Sequence, residues 1–138
     1  MIEIKNISKK FGKLEVLKNV SVSCNSGQCI ALIGPNGCGK TTLIKSILGM
    51  VIPDSGSMEF NQKSIFGDYL YREKIGYMPQ IGRYPDTMTI GEIIEMVKKI
   101  RNSKDNLDED LFRDFEIEKM LNKQMRTLSG GTTQKISA

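Results

Sequence analysis

The sequence predicts an α/β fold in which an antiparallel β region and a strand–loop–helix unit precede a helical region. The first residues alternate between apolar and polar side chains, which is typical of a half-buried strand. Residues 29–33 form a continuous apolar run that ends at a glycine-rich loop, and a helical pattern follows that loop. After about residue 81, apolar side chains recur at helical spacing.

Two strands and two turns account for the first 28 residues. Ile2 and Ile4 mark the opening strand, residues 11–13 predict a turn or loop, and residues 25–27 predict a second turn. The alternating residues of the second strand are Val20, Val22 and Cys24. This arrangement predicts two strands with a turn or loop between them.

The apolar run at residues 29–33 is expected to be a strand that is buried on both faces, because continuous apolar runs are typical of such strands. Cys24 and Cys29 lie in apolar strand patterns and are expected to be reduced core residues. A metal-ligand role is disfavoured, since the chain has three cysteines and no histidine.

The glycine-rich loop is expected to lead into a helix that begins near Lys40 and has Gly49 as its C-terminal cap. Residues 53–56 then predict a turn. Short strands are expected at residues 57–60 and at residues 75–78.

The remaining residues predict helices. Thr89 and Glu92 have the spacing of a capping box. One apolar face of the helix that follows consists of Ile90, Ile93, Ile94, Val97 and Ile100. A polar break at residues 102–106 precedes two short helices. These are predicted by Leu107, Leu111, Phe112 and Phe115, and by Met120 and Leu121. Residues 128–131 predict a loop, and residues 132–138 predict the start of a further helix.

The composition favours a folded domain. The chain has 138 residues, of which 39% are hydrophobic and 26% are charged. Its net charge of +4 is interpreted as an ordinary solvated surface, because the basic residues form no stripe interleaved with aromatics. No nucleic-acid partner is therefore expected. The apolar runs are too short to span a bilayer and no secretory signal is present, so a cytoplasmic location is expected.

Residues 34–41 match the phosphate-binding motif G-x-x-x-x-G-K-[ST] at every fixed position. The glycines permit backbone angles that direct several N–H groups at one anion, and the helix that follows adds the positive end of its dipole. Lys40 supplies an ammonium for the β- and γ-phosphates, and the Thr41 hydroxyl is a hard oxygen ligand for Mg²⁺. We therefore predict a P-loop that binds the phosphates of ATP or GTP with magnesium. The alternative is a chance glycine-rich turn, which the position between an apolar run and an apolar helix disfavours.

A P-loop alone does not distinguish ATPases, GTPases and kinases. A GTPase would be expected to carry an N-K-x-D motif that reads the base, and this sequence contains none.

Three further segments, taken with the P-loop, resemble the nucleotide-binding domain of an ATP-binding cassette (ABC) transporter. Phe11 lies where the family places an aromatic that stacks on adenine. Gln80, in the sequence Gly-Tyr-Met-Pro-Gln, resembles the Q-loop glutamine, and residues 128–131 (Leu-Ser-Gly-Gly) resemble the start of the signature loop. Each segment alone has an ordinary explanation, namely a packed aromatic, a surface glutamine or a helix-capping loop. Their joint order and spacing identify the family.

The resemblance implies a P-loop NTPase core of the ABC type with an N-terminal antiparallel β region and a helical subdomain, truncated before the Walker B strand. Residues 1–80 would form the β region, P-loop and Q-loop core. Residues 81–138 would form the helical subdomain and end in the signature helix. Within the family, residues 77–85 and the Ser-Gly-Gly-Thr signature are similar to the ATPase of the nitrous-oxide reductase maturation (copper-processing) exporter.

The resemblance also implies a role for each matching residue. Phe11 and Val16 would contact the adenine ring, and Thr41 and Gln80 would bind Mg²⁺. The implied nucleotide contacts in the loop are Gly34, Asn36, Gly37, Cys38, Gly39, Lys40, Thr41 and Thr42. Lys40 and Gln80 would act in catalysis. The signature residues that would face ATP held by a second ABC ATPase domain, in a head-to-tail dimer, are Ser129, Gly130 and Gly131. A transmembrane permease would be the other partner and would hold the chain at the inner face of the membrane.

Two departures from the family pattern affect these expectations. The signature continues with Thr132 where the family usually has glutamine, and a threonine still supplies a hydroxyl and an N–H at a helix start. No apolar run ends in the Asp-Glu pair that supplies the general base, since the pair Asp108–Glu109 does not follow a predicted strand, and no histidine is present to act as the switch. We therefore expect a fragment of a longer ATPase that binds ATP, hydrolyses it slowly, and leaves apolar surface on the P-loop strand and helix exposed.

The expected function is the ATP-binding subunit of an ABC transporter, which couples ATP binding and hydrolysis to transport. The parent protein would be an ABC-type ATPase, and this chain itself would be inactive as an enzyme. One alternative is a soluble ABC ATPase of DNA repair or translation, although such proteins usually carry long inserts or tandem cassettes. Another alternative is a nucleotide-binding module that does not hydrolyse ATP.

Overall fold

The structure, a computed structural model, describes residues 1–80, 82–101 and 109–137. The chain divides into two compact units, Met1–Ile75 and Gly76–Ala138. The division predicted between residues 80 and 81 stays a prediction, because residue 81 lies outside the described residues. The expectations for residues 102–106, Leu107, Asp108 and Ala138 also fall outside them.

The first unit is built on an antiparallel sheet, as the sequence predicted. Its strands, in the spatial order β2-β1-β3-β4, are β1 (Ile2–Phe11), β2 (Leu14–Cys24), β3 (Ser55–Phe60) and β4 (Lys63–Ser64). β1 lies between β2 and β3 and is joined to β2 by the predicted turn, where Gly12 has a positive φ of 59°. β2 begins earlier than its predicted alternating residues, of which Val20 is the first, and β3 begins two residues before the strand predicted at residues 57–60.

An irregularity in β1 determines which of its side chains are buried in the core. Asn6 has a φ of 54°, and the register of β1 on β2 shifts between Ile4 and Ile7. The shift is that of a β-bulge, so Ile4 and Ile7 both reach the core although they are three residues apart. The Asn6 N–H, which the bulge turns away from the ladder, donates a hydrogen bond to Ser21 Oγ at 2.9 Å.

Helix α1 (Lys40–Ile47) packs on this sheet and confirms the predicted helix start at Lys40. Leu43 lies in the core of the unit. The buried members of this core are Ile4, Ile7, Leu17, Leu43, Met58, Ile65 and Tyr71. Gly49, with a φ of 66°, donates its N–H to Ser46 O at 2.9 Å and ends the helix, as predicted.

The strands predicted at residues 29–33 and 75–78 do not form. The side chains at residues 29–33 are exposed rather than buried, and Ile33 retains 91% of its accessible surface. Cys29 is exposed and Cys24 half-buried, so the expectation that both lie in the core was wrong. An extended segment becomes a strand only when a neighbour pairs with its N–H and C=O groups, and no strand among the described residues pairs with either segment. The expectation that apolar surface before and on the P-loop helix stays exposed is confirmed, since Ile44 on α1 is also exposed.

The second unit is helical. It contains α2 (Ile90–Arg101), α3 (Asp110–Asp114) and α4 (Gly130–Ser137), with single 3₁₀ turns at Ile117–Met120 and Met125–Thr127. Its buried core residues are Ile90, Ile93, Ile117 and Met125. α3 and the first 3₁₀ turn lie where two short helices were predicted, and α4 begins two residues earlier than predicted. None of the helices in the described ranges is long and apolar enough to cross a membrane.

The predicted capping box at the start of α2 is confirmed. Thr89 N–H donates to Glu92 Oε2 at 2.8 Å, and Glu92 N–H donates to Thr89 Oγ1 at 3.3 Å. The predicted apolar face of α2 is only half correct, because Val97 and Ile100 are exposed. The core covers the N-terminal half of α2 and ends before these two residues.

A carboxylate fastens the segment after α1 to β1. Asp54 N–H donates to Ser8 O at 2.8 Å and so continues the pairing of β3 with β1. Pro53 has no N–H with which to extend that ladder. The Asp54 carboxylate instead accepts hydrogen bonds from Lys10 N–H and from Lys9 Nζ, both at 2.7 Å. The bond from the Lys10 N–H satisfies this backbone donor of β1 without another strand residue, and the bond from Lys9 Nζ adds an ion pair.

This arrangement predicts a dependence of stability on pH. The hydrogen bond from Lys9, followed by that from the Lys10 N–H, holds the pKa of Asp54 below its ordinary value of 3.8. Because the folded pKa is the lower one, the stabilisation is complete above the unfolded pKa and is lost as the pH falls through the folded pKa. Asp54→Asn should therefore lower the urea midpoint at neutral pH, and its difference from the native chain should shrink below about pH 4.

The control is Asp86→Asn, which changes an exposed aspartate of the second unit. Its effect on the urea midpoint should be small at every pH. A difference between Asp54→Asn and the native chain that stays constant from neutral pH to about pH 2.5 would contradict this account of Asp54.

Candidate functional site

The predicted P-loop forms a turn that leads directly into α1. Gly37 and Gly39 have φ angles of 82° and 96°, which an L side chain adopts only with strain. Gly39 is the N-cap residue of α1, and its carbonyl accepts the Leu43 N–H at 2.9 Å. The first-turn N–H groups of α1 have no partner in their own helix, so the positive end of the helix faces the loop.

The Lys40 ammonium lies against the loop itself. Its Nζ donates hydrogen bonds to Gly34 O and Pro35 O, each at 2.7 Å. These bonds tie the last part of the loop to its beginning and keep the loop curled. The third donor of the ammonium is directed at Cys38 Sγ at 3.7 Å, a weak acceptor that a phosphate oxygen could replace. The arrangement therefore holds a cation next to a curled backbone whose glycines leave space for a phosphate.

Close packing fixes where the loop lies in the first unit. Gly39 is buried, and a Cβ added to it would lie 2.7 Å from Val16 O and 3.0 Å from a Leu17 methyl group. A Cβ added to Gly37 would meet nothing within 4 Å. Gly39 thus supplies contact with β2, whereas Gly37 supplies open space on the ligand side. Val16, the predicted adenine contact, is half-buried beneath Gly39.

The predicted phosphate and magnesium residues are accessible. Asn36, Cys38 and Thr41 are exposed and Thr42 is half-buried. The Thr41 hydroxyl lies on the first turn of α1, one residue after Lys40. A hard hydroxyl oxygen beside the expected phosphate position suits Mg²⁺, which commonly binds one or two protein oxygens together with substrate phosphates. The donor set present therefore fits the predicted Mg·ATP.

The predicted adenine contact, Phe11, is the last residue of β1 and keeps 50% of its surface exposed. An exposed aromatic ring at the end of a hairpin strand is available for stacking. The Lys9 ammonium lies 5.6 Å from the centroid of the ring. Phe11, Val16 and the P-loop all belong to the first unit.

Gln80 and the predicted signature residues belong to the second unit, where the structure brings them together. A shallow cavity of about 390 Å³ is lined by Gln80, Gly82, Leu128, Gly130, Gly131, Thr133 and Gln134. Ser129 caps α4, since its Oγ accepts the Thr132 N–H at 3.2 Å and lies 2.9 Å from Thr132 Oγ1. The expectation that Thr132 supplies both a hydroxyl and an N–H at the helix start is confirmed.

Sequence reasoning missed Lys9, whose ammonium lies near the Phe11 ring, and Asp54, which pairs with Lys9. Lys9 is two residues before Phe11, a spacing that places both side chains on one side of a strand and could have been noticed. Asp54 is 43 residues after Phe11 in the sequence, and no local pattern connects the two.

The family described as ABC transporter matches residues 17–137. The sulfate/thiosulfate import ATP-binding protein CysA of Pectobacterium atrosepticum is 33% identical over 144 aligned residues, which cover 99% of this chain and 44% of that protein. The protein of the same name from Pseudomonas syringae pv. tomato is 29% identical with the same coverage. The chain thus spans less than half the length of these relatives.

Solved structures show the same fold. The ATP-binding subunit of an ABC transporter has a TM-score of 0.85 and 28% identity, over 99% of this chain and 59% of that one. A putative ABC transporter ATP-binding protein from Pyrococcus furiosus has a TM-score of 0.79 and 26% identity, over 98% of this chain and 66% of that one. An ATP-binding cassette solved as a dimer with ADP and phosphate is 22% identical with a TM-score of 0.78, covers 99% of this chain and 67% of that one, and supports the fold alone.

The packing of Gly39 predicts a strong effect of adding one methyl group. Gly39→Ala places a Cβ at a φ of 96° and 2.7 Å from Val16 O. Left-handed backbone alone costs an L residue about 1–2 kcal/mol, and the overlap with Val16 adds to that cost. Gly27→Ala is the matched control, because Gly27 has a φ of 76° and open space around it. Urea unfolding should show a larger loss for Gly39→Ala, and equal losses would contradict the close contact.

Proposed function

Because this chain belongs to the ABC transporter family, we propose that it forms part of the ATP-binding subunit of a transporter and binds ATP at residues 34–41. The observation that carries the proposal is the curled loop at the start of α1, in which Lys40 Nζ donates hydrogen bonds to Gly34 O and Pro35 O. This arrangement directs a cation and a helix N-terminus toward one position, which favours a polyphosphate. The matched curated relatives are named as ATP-binding proteins, which supports the proposal.

Each part of the loop contributes a different interaction with ATP. The N–H groups near Gly37 and Gly39 would donate to phosphate oxygens. Lys40 would exchange its weak contact with Cys38 Sγ for the β- and γ-phosphates. The Thr41 hydroxyl would ligate Mg²⁺, and Gln80 as a metal ligand stays a prediction. The metal, when bound, neutralises charge on the phosphate oxygens. The exposed ring of Phe11 would stack on adenine.

Hydrolysis requires more than this loop. A water molecule needs a positioned base, and the sequence has no histidine and no Asp-Glu pair after an apolar strand. We propose that the 138-residue chain binds ATP with slow turnover. Ser129, Gly130 and Gly131 would act on ATP held by a second ABC ATPase domain. The residues that line the cavity beside Gln80 are half-buried or exposed. The cavity is therefore accessible, which supports such a role.

A permease is the other proposed partner and would hold the chain at the inner face of the membrane. The second unit contains a cavity of about 620 Å³. Apolar side chains of α2, α3 and α4 line it together with Tyr77, Met78 and Tyr84, and three charged residues, Lys98, Arg101 and Glu109, also border it. Such a cavity would bind an apolar face of a permease helix. The matched curated relatives are named for sulfate and thiosulfate import, so a small oxyanion is the proposed cargo. The similarity to the copper-processing exporter stays a prediction.

Removal of the Lys40 ammonium tests nucleotide binding. Lys40→Ala should weaken binding of Mg·ATP about 10- to 100-fold, because a hydrogen bond to a charged group contributes about 1.5–3 kcal/mol. Lys45→Ala is the matched control, since Lys45 lies in the last turn of the same helix and is exposed. Titration calorimetry measures both. Equal affinities for Lys40→Ala and the native chain would contradict the proposed site.

A phosphate-release assay on the same samples separates binding from turnover. The native chain should bind Mg·ATP and release phosphate at close to the rate of the buffer control. Turnover at ordinary ATPase rates that disappears in Lys40→Ala would contradict slow hydrolysis and leave the binding proposal in place.

A further inference from the structure

A charged pair lies directly behind the candidate adenine contact. Lys9 and Phe11 are two positions apart on β1, with Lys10 between them, so their side chains leave the strand on the same side. Lys9 Nζ lies 5.6 Å from the centroid of the Phe11 ring, within the range of a cation–π contact. The Lys9 side chain is only 17% exposed, whereas Phe11 is 50% exposed. Lys9 is therefore packed against the protein, while Phe11 at the strand end keeps half of its surface exposed.

Asp54 fixes the position of this ammonium. One carboxylate oxygen, Oδ1, accepts a hydrogen bond from Lys9 Nζ at 2.7 Å, and the other, Oδ2, accepts the Lys10 N–H at 2.7 Å. Asp54 is itself fixed to β1, because its N–H donates to Ser8 O at 2.8 Å. Lys9 thus makes an ion pair with an anchored partner and does not extend freely into water.

We propose that Lys9, held by Asp54, is a positioning residue that orients the Phe11 ring for stacking on the adenine of ATP. This inference rests on the proposed function, since it concerns the same nucleotide. A phenyl ring at the end of a hairpin strand has rotamer freedom that stacking would remove, and losing that freedom on binding costs affinity. The Lys9 ammonium restricts the ring before the nucleotide arrives. The surface of the ring that stays exposed is then available to the base.

The inference distinguishes the base from the phosphates. Lys9 contacts Phe11 and Asp54, whereas the phosphates are expected at Lys40 and the loop glycines. Loss of the Lys9 contact should therefore weaken binding of ATP and leave binding of tripolyphosphate, which has no base, unchanged. A purely structural role, in which the ion pair only fastens Asp54 to β1, would instead change both ligands together or neither.

Lys9→Met tests this directly, because methionine keeps most of the side-chain length and removes the charge. Titration calorimetry of the 138-residue chain with Mg·ATP should show about two- to fivefold weaker binding, the range expected for an exposed cation–π contact. Binding of magnesium tripolyphosphate should be unchanged. Lys9→Arg keeps a cation beside the ring and should restore ATP affinity to within about twofold of the native value.

The matched control is Lys10→Met, the same substitution at the adjacent position. The Lys10 side chain is 60% exposed and pairs with Glu15, while its backbone N–H still reaches Asp54 in the variant. The affinity of Lys10→Met for Mg·ATP and for magnesium tripolyphosphate should equal that of the native chain. Asp54→Asn is a second variant, which removes the charge that holds Lys9, and it should weaken ATP binding while leaving tripolyphosphate binding unchanged.

The outcomes separate the inference from the function on which it rests. If the native chain binds neither ligand, the proposed nucleotide site is wrong and the inference falls with it. If the native chain binds both ligands, and Lys9→Met changes both equally or neither, only the positioning role of Lys9 is overturned. If Lys10→Met weakens ATP binding as much as Lys9→Met does, the contact with Phe11 is also not the cause. A selective loss of ATP affinity in Lys9→Met with rescue by Lys9→Arg is the result that the structure predicts.

Discussion

The backbone contact between Gly39 and Val16 determines where the P-loop and its helix lie on the sheet. A side chain at residue 39 would overlap the Val16 carbonyl, so α1 can start this close to β2 only because residue 39 is glycine. One helical turn later, Leu43 enters the core between the sheet and α1. Lys40 and Thr41 then face the ligand side of the same turn. The geometry of the candidate phosphate site follows from this approach of helix to strand.

The sheet that supports the loop is antiparallel, and the chain is attached to this sheet at both ends of α1. Gly39 anchors the start of the helix on β2, and Asp54, after the helix, anchors the returning chain on β1. The apolar segment at residues 29–33 contributes no strand to this support, and its side chains are exposed. Exposure of these apolar side chains forgoes stabilisation, because burial of each methylene contributes about 0.8 kcal/mol to the free energy of folding. Among the described residues, the loop is therefore supported by the antiparallel sheet.

Local signals in the sequence predicted the elements that depend on local interactions. The start of α1, the glycine at its end and the capping box of Thr89 and Glu92 are all set within a few residues, and all three are confirmed. The phosphate motif could be predicted because backbone angles and residue chemistry are encoded in eight consecutive positions. The combined landmarks also predicted the family that the comparisons show.

The errors arose where a pattern depends on partners elsewhere in the chain. Residues 29–33 have the composition of a buried strand, but composition does not supply the neighbouring strand that burial requires. Ile100 fits the apolar face of α2, yet the core of the second unit ends before it. The ion pair of Lys9 with Asp54 joins residues 45 positions apart, and only the fold shows that it lies beside Phe11.

Hydrogen exchange measured with and without Mg·ATP tests most directly whether this loop binds the nucleotide through its backbone. If the N–H groups around Gly37 and Gly39 and in the first turn of α1 donate to phosphate oxygens, the amides of residues 37–42 should exchange more slowly when Mg·ATP is present. The amides of β4, which lie away from the loop, should exchange at the same rate in both samples. Unchanged exchange at residues 37–42 under saturating Mg·ATP would contradict the account.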